Sequence, residues 1–149
     1  MELKLPPLAE TGETLTGAEI AIRCLQEEGV EFVFGYPGGA VLFIYDALFK
    51  QKNVKHILVR HEQGATHMAD GYARASGRHG VCIGQNGPGV TNFVTAIAAA
   101  YWAHSPVVFI TPETGSLTMG LGGFQETEQL PIFSKITRYQ GHVNAPRRM

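Results

Sequence analysis

At 149 residues the chain is long enough for one ordinary domain and too short for two. With 44% hydrophobic and 17% charged residues it can bury a core, which excludes a disordered chain. Twelve basic residues against thirteen acidic ones leave a net charge of −1, and no basic stripe points to nucleic acid or to a membrane surface.

The two cysteines, Cys24 and Cys82, stand far apart and fit neither a disulfide framework nor a zinc site, so a reducing cytoplasm is the expected compartment. The first fourteen residues are polar and interrupted by prolines, unlike a signal peptide. Residues 81–112 hold no Asp, Glu, Lys or Arg, yet Asn86-Gly87-Pro88-Gly89 and His104-Ser105-Pro106 break the stretch. Its longest helical piece, residues 90–103, is shorter than the ~20 residues a bilayer requires. It reads as a buried helix between two buried strands.

In chain order, Thr16 and Glu19 form a capping-box pair, and Ala18, Ala21, Ile22 and Leu25 then recur on one helical face until Gly29. Phe32-Val33-Phe34 predicts a strand leading into the loop Gly35-Tyr36-Pro37-Gly38-Gly39, and residues 40–50 a second helix. Residues 56–59 predict the next strand. Residues 62–76 predict a helix with Ala65, Met68, Ala69 and Tyr72 on its inner face, closed by Gly77. Strands over 81–83 and 107–110 flank the helix over 90–103, and residues 139–143 suggest one more strand. Strands alternating with helices mean βαβ units, hence an α/β fold with an open parallel sheet and helices on both faces. Residues 144–149 read as the start of a helix with proline in its first turn. A helix that begins and does not continue suggests a fragment, or a subunit completed by another chain.

Ligands gather at the C-terminal ends of strands in such sheets. Residues 35–39, 60–63 and 85–89 fall there. Glu62, after a strand and in the first turn of a helix, has two readings: a carboxylate complementing the helix dipole, or a general acid/base at a pocket mouth. Position alone favours the first. His61 and His67 are six apart rather than four, so they do not make the zinc pattern of a metalloprotease helix. Asn86-Gly87-Pro88-Gly89 is either a tight strand-to-helix turn or an anion cradle at a helix N-terminus, and it matches neither the dinucleotide fingerprint nor a P-loop. Gly38-Gly39 poses the same choice. The segment from Gly120 to Glu126 is either a flexible connector or a substrate loop in which Phe124 packs on a ligand and Gln125 donates a hydrogen bond. The uncharged helix over 90–102 is suited to a subunit interface.

Four segments, taken together, resemble the pyrimidine-binding domain of thiamine-diphosphate enzymes across nearly the whole chain from Leu15. They are Gly35-Tyr36-Pro37-Gly38-Gly39-Ala40, Arg60-His61-Glu62-Gln63-Gly64-Ala65, Ala69-Asp70-Gly71-Tyr72-Ala73-Arg74, and Gly87-Pro88-Gly89-Val90-Thr91-Asn92. The first half, with Ile44-Tyr45-Asp46-Ala47, is most similar to acetolactate synthase large subunits. The second half, with Gln85-Asn86-Gly87-Pro88-Gly89, Ala100-Tyr101-Trp102 and the segment from Thr118 to Glu126, is more similar to sulfoacetaldehyde acetyltransferases.

The resemblance implies residues 1–14 as a leader and 15–149 as the pyrimidine domain, without its last helix and strand. It implies thiamine diphosphate as cofactor and reverses the reading of Glu62, which matches the glutamate that bonds N1′ of the aminopyrimidine, favours its imino tautomer and so helps remove the C2 proton. Pro37, Gly38, Gly39, Gly87, Pro88 and Asn92 would complete the cofactor-binding wall, and Phe124 and Gln125 the substrate side. No metal ligand is expected in these residues. The Gly-Asp-Gly segment that holds Mg²⁺ against the diphosphate in this family does not occur here, nor does the middle domain that carries FAD in acetolactate synthases. The site would therefore span two chains or domains, through a homo-oligomer or a separate diphosphate-binding chain, and the isolated chain is expected to be inactive. The implied reaction is the joining of two 2-oxo acids with loss of CO₂. The alternatives are cleavage of sulfoacetaldehyde with release of sulfite and transfer of the acetyl unit to phosphate, or a non-catalytic remnant that only dimerises. A basic group near the substrate's anionic end would suit either reaction, and Arg138 is a candidate for it, or else a surface residue.

Overall fold

The computed structural model describes residues 12–149; residues 1–11, most of the expected leader, lie outside the described residues. In chain order come α1 (Gly17–Glu27), β1 (Phe32–Gly35), a 3-10 turn (Gly39–Val41), α2 (Leu42–Phe49), β2 (Lys55–Leu58) and α3 (Glu62–Ser76). Then follow β3 (Gly80–Ile83), α4 (Pro88–Thr91), α5 (Val94–Trp102), β4 (Val107–Ile110), α6 (Gln129–Phe133) and a 3-10 turn (Pro146–Arg148). The four strands form one parallel sheet in the order β2-β1-β3-β4.

That order follows from burial. The inner strands β1 and β3 are apolar on both sides, as strands covered on two faces must be. Val33, Val81 and Ile83 pack toward α1 and α2 with Ile22, Leu25 and Leu48. Phe34 and Cys82 pack the other way, with Ala65 and Ala69 of α3, Ile97 of α5 and Phe133 of α6. The edge strands are more open: Leu58 of β2 and Val108 of β4 are exposed. Burial also pushes the Cys82 thiol up to about 12, so this cysteine is a core residue rather than a nucleophile.

Several elements form as their sequences dictate. Thr16 Oγ1 accepts from the Glu19 N–H at 3.3 Å while the Thr16 N–H donates to Glu19 Oε2 at 2.8 Å, a complete capping box. Helix α3 has the expected bounds and ends at Gly77, whose φ of 72° suits the left-handed cap. Its inner face differs from expectation. Ala65, Thr66, Ala69, Asp70 and Ala73 are buried, whereas Met68 is exposed, because Gly80 draws α3 tightly onto β3 along the alanine row. A Cβ on Gly80 would overlap the Ala69 carbonyl. Asp70 is buried and accepts from Arg74 Nε at 2.9 Å and Nη2 at 2.7 Å; Arg74 Nε also reaches Ser105 Oγ at 3.1 Å, tying α3 to the turn before β4.

Three further expectations need correction. The helix over 90–103 is two helices, since Phe93 N–H bonds the Val90 carbonyl in a tightened turn and Phe93 is driven inward against Gly84. The second helix of the chain, by contrast, forms close to its expected bounds, as the 3-10 turn Gly39–Val41 running into α2. Residues 139–143 form no strand: none of the described residues pairs with them, and Tyr139 is 85% exposed. Residues 144–149 form only the short 3-10 turn. Among the described residues no helix is long and apolar enough to cross a membrane, and no group of His, Cys, Asp and Glu is placed to hold a metal ion.

Candidate functional site

The chain runs from β1 outward to β2, then returns to the other side of β1 for β3. Such a reversal leaves a crevice at the C-terminal ends of the two central strands, since the loops after them diverge. Residues 36–39 follow β1, residues 84–87 follow β3, and Glu62 opens α3 beside them.

Glu62 is half-buried, and its Oε2 accepts from Asn92 Nδ2 at 2.9 Å. Its Oε1 has no hydrogen-bond partner among the described residues and faces Gly89, where a Cβ would stand 3.3 Å from it. The same Cβ would crowd Gln85 Cβ at 2.9 Å. Glycine at 89 thus keeps a gap between a carboxylate oxygen and the loop after β3. A fixed carboxylate with one engaged and one open oxygen can accept a hydrogen bond from, or hold a proton for, a flat ligand in that gap.

Beside it lies a cluster of amides. Ala40 N–H donates to Gln85 Oε1 at 3.0 Å, and Gln85 Nε2 donates to Asn86 Oδ1 at 2.6 Å and Gln125 Oε1 at 3.0 Å. Asn86, buried, donates from Nδ2 to the Phe124 carbonyl at 3.4 Å. Gly87, at φ 60°, lies so near the Gln125 carbonyl that a Cβ would come within 2.5 Å. Gln125 itself has φ 58°, a left-handed conformation uncommon in non-glycine residues and shared among the described residues with His104 in the turn before β4. The loop is pinned from behind by Glu126, whose carboxylate accepts from the Gly120 and Gly123 N–H groups; these hold its carboxyl below the usual range.

The expected site residues are thus partly gathered. Glu62 and Asn92 meet directly, Gly87 meets Gln125, and Gly38 lies against Gln85, whose amide a Cβ at 38 would strike. Pro37, Gly39 and Pro88 are exposed at the rim. The Phe124 ring is 85% exposed, and only its carbonyl joins the cluster. Arg138 is exposed and bonds none of these groups. The sequence gives Gln85 no role of its own and Asn86 only a place in a turn or anion cradle, although two amides directly after a buried strand at the reversal of the sheet are a usable signal. The two described cavities lie elsewhere: the larger, about 310 Å³, is lined by residues of α1 and α2 including Glu19, Asp46 and Lys50.

The family described as thiamine pyrophosphate enzyme, N-terminal TPP binding domain, matches residues 15–132. The chain belongs to this family. It is 58% identical over 135 residues to a sulfoacetaldehyde acetyltransferase of Alcaligenes xylosoxydans xylosoxydans, covering 91% of this chain and 22% of that protein. It is 56% identical over 137 residues to a protein of the same name from Castellaniella defragrans, covering 92% and 23%. A probable acetolactate synthase large subunit of Methanocaldococcus jannaschii is 48% identical over 132 residues, covering 89% and 22%. The chain therefore spans about a fifth of the length of these curated relatives. The α/β fold and the thiamine-diphosphate family expected from the residues both hold, and the relatives carry both of the enzyme names that the two halves resemble.

Proposed function

We propose that this chain supplies the aminopyrimidine-binding half of a thiamine diphosphate site, with Glu62 as the group that exchanges a proton with the cofactor. The observation that carries the reading is the open Oε1 of Glu62, facing a gap that a side chain at 89 would fill. When bound, thiamine diphosphate supplies a carbon nucleophile that attacks a substrate carbonyl. Glu62 holds a proton at N1′ through Oε1, and Asn92 keeps the carboxylate turned toward that atom. Gly38 and Gly39 let the backbone after β1 approach the reacting centre, with Pro37 stiffening the loop. Gly87 and Pro88 shape the opposite wall. Phe124 and Gln125 face the substrate.

Magnesium and the diphosphate belong in this reading to a second part of the assembly, from a neighbouring copy of the complete protein or a separate chain. Helix α5, which has no charged residue and exposes Thr95, Ala99 and Trp102, offers a face for that contact. FAD accompanies the site only if the assembly is of the acetolactate synthase kind. Between the two chemistries we favour cleavage of sulfoacetaldehyde, in which the C–S bond breaks, sulfite leaves and the acetyl unit passes to phosphate to give acetyl phosphate. The amide cluster of Gln85, Asn86 and Gln125 belongs to the segments on which that likeness rests, and the identity to proteins of that name is higher. Joining of 2-oxo acids is the second reading, supported by the segments from Gly35 to Ala47.

Native mass spectrometry of the protein from its own source, followed by parallel assays with sulfoacetaldehyde plus phosphate and with pyruvate, tests the proposal. Bound thiamine diphosphate together with turnover of one substrate supports it. A cofactor-free protein that binds no added thiamine diphosphate contradicts it.

A further inference from the structure

The amide cluster has a direction, and both of its ends are main-chain groups that cannot reverse. A backbone N–H only donates, so Ala40 forces Gln85 to present Oε1 toward residue 40. The Gln85 NH₂ must then point the other way, where it meets Asn86 Oδ1 and Gln125 Oε1. A backbone carbonyl only accepts, and the Phe124 carbonyl at the far end receives the Asn86 NH₂, in agreement with the direction imposed from Ala40. The Gln125 amide is therefore oriented: its oxygen is engaged, and its NH₂ has no hydrogen-bond partner among the described residues.

We infer that Gln85 is a positioning residue that transmits the polarity of the Ala40 N–H to Gln125, so that Gln125 offers a donor, and not an acceptor, to the substrate. The substrate atom it meets is an acceptor, a carbonyl, carboxylate or sulfonate oxygen. The inference rests on the proposed placement of Gln125 at the substrate side. A glutamine free to rotate would offer either face, and the wrong face would set oxygen against oxygen. Gln85 removes that choice while spanning the loops after β1 and β3 and the segment carrying Gln125. The left-handed backbone at Gln125 is held against Gly87 by the same contacts.

The test uses the assembled protein with thiamine diphosphate and whichever of sulfoacetaldehyde and pyruvate the wild type turns over. Gln85→Glu still accepts from Ala40 but now presents an acceptor to Gln125, which must flip. Gln85→Met removes the tie without reversing it. The expected KM order is wild type, then Gln85→Met, then Gln85→Glu, the last raised at least about tenfold with a smaller change in kcat. In a Gln125→Ala background the two Gln85 variants should give the same KM, because the effect travels through residue 125. If Gln85 only tethers residue 40, Gln85→Glu matches the wild type and Gln85→Met is worse, which overturns the inference. A Gln85→Glu penalty that persists in full in the Gln125→Ala background also overturns it, as direct charge repulsion. Should Gln85→Glu fail to assemble, Gln85→Met and Gln125→Ala carry the test alone: non-additive KM effects are expected, and additive ones are contradictory. Exchange of the cofactor C2 proton for deuterium, followed in the same samples, separates the two claims. Its absence in the wild type defeats the proposed function rather than the role of Gln85.

Discussion

Asn92 holds Glu62 from the turn between α4 and α5, with Nδ2 at 2.9 Å from Oε2. The contact joins residues thirty apart in sequence and falls at the junction of the two helices after β3. At that junction the Phe93 N–H bonds the Val90 carbonyl, and Phe93 is seated in the core.

Removing that donor should loosen the carboxylate without unfolding the domain. Asn92→Ala is expected to slow cofactor C2–H/D exchange about tenfold, the order of one hydrogen bond to a charged group. Asn92→Asp should be slower still, since it sets a second carboxylate within reach of the first. Exchange followed by proton NMR in the assembled protein checks both. Equal rates in the alanine variant and the wild type would detach Asn92 from the site.

Gly87 supports the other side of the crevice. Alanine there meets both an unfavourable φ of 60° and the Gln125 carbonyl. Gly87→Ala is expected to cost at least about 2 kcal/mol and to expose the segment around Gln125 to proteolysis. Denaturant unfolding and limited digestion measure the two effects. A variant as stable as the wild type, with that segment still protected, would mean that the loop can leave its seat at no cost.

The Asp70–Arg74 pair should act through stability alone. Burial by itself raises the Asp70 carboxyl, but bonds from Arg74 and Ser105 outweigh it and hold the group below its ordinary value of 3.8. A carboxyl whose pKa is lower folded than unfolded stabilises the fold above the unfolded value, and the contribution fades as pH falls through the folded one. Asp70→Asn should therefore be less stable than the wild type by about 1–2 kcal/mol near neutral pH, a figure reduced for the solvent around the half-exposed guanidinium. The two proteins should converge in acid below the usual aspartate range. Thermal unfolding across pH provides the comparison, and a constant gap down to strong acid would contradict the assignment.

The fold was legible where burial and periodicity agree. Strands β1 and β3, helix α3 with its Gly77 stop, and the capping box at Thr16 are all written in short runs of residues. The break at Asn92 was not, because the stretch from Val90 to Tyr101 is apolar on nearly every side and its periodicity marks no interruption. Tyr139–Val143 misled for the opposite reason: aromatic and β-branched residues suit a strand, yet a strand also requires a free neighbour in register. At the site, Glu62 could be named from its segment, but only as one of two readings until family resemblance weighed in. The tie from Ala40 through Gln85 to Gln125 spans residues 40, 85 and 125, and no local pattern reports a hydrogen bond between such distant positions.

The most direct test of the account is Glu62→Gln in the assembled protein, read by C2–H/D exchange of bound thiamine diphosphate. The amide keeps the size of the side chain but cannot trade a proton in the same way. Exchange is expected to slow by a factor on the order of one hundred or more while the fold and the oligomeric state are preserved. An exchange rate equal to that of the wild type would remove Glu62 from the chemistry and leave its carboxylate a helix-capping charge.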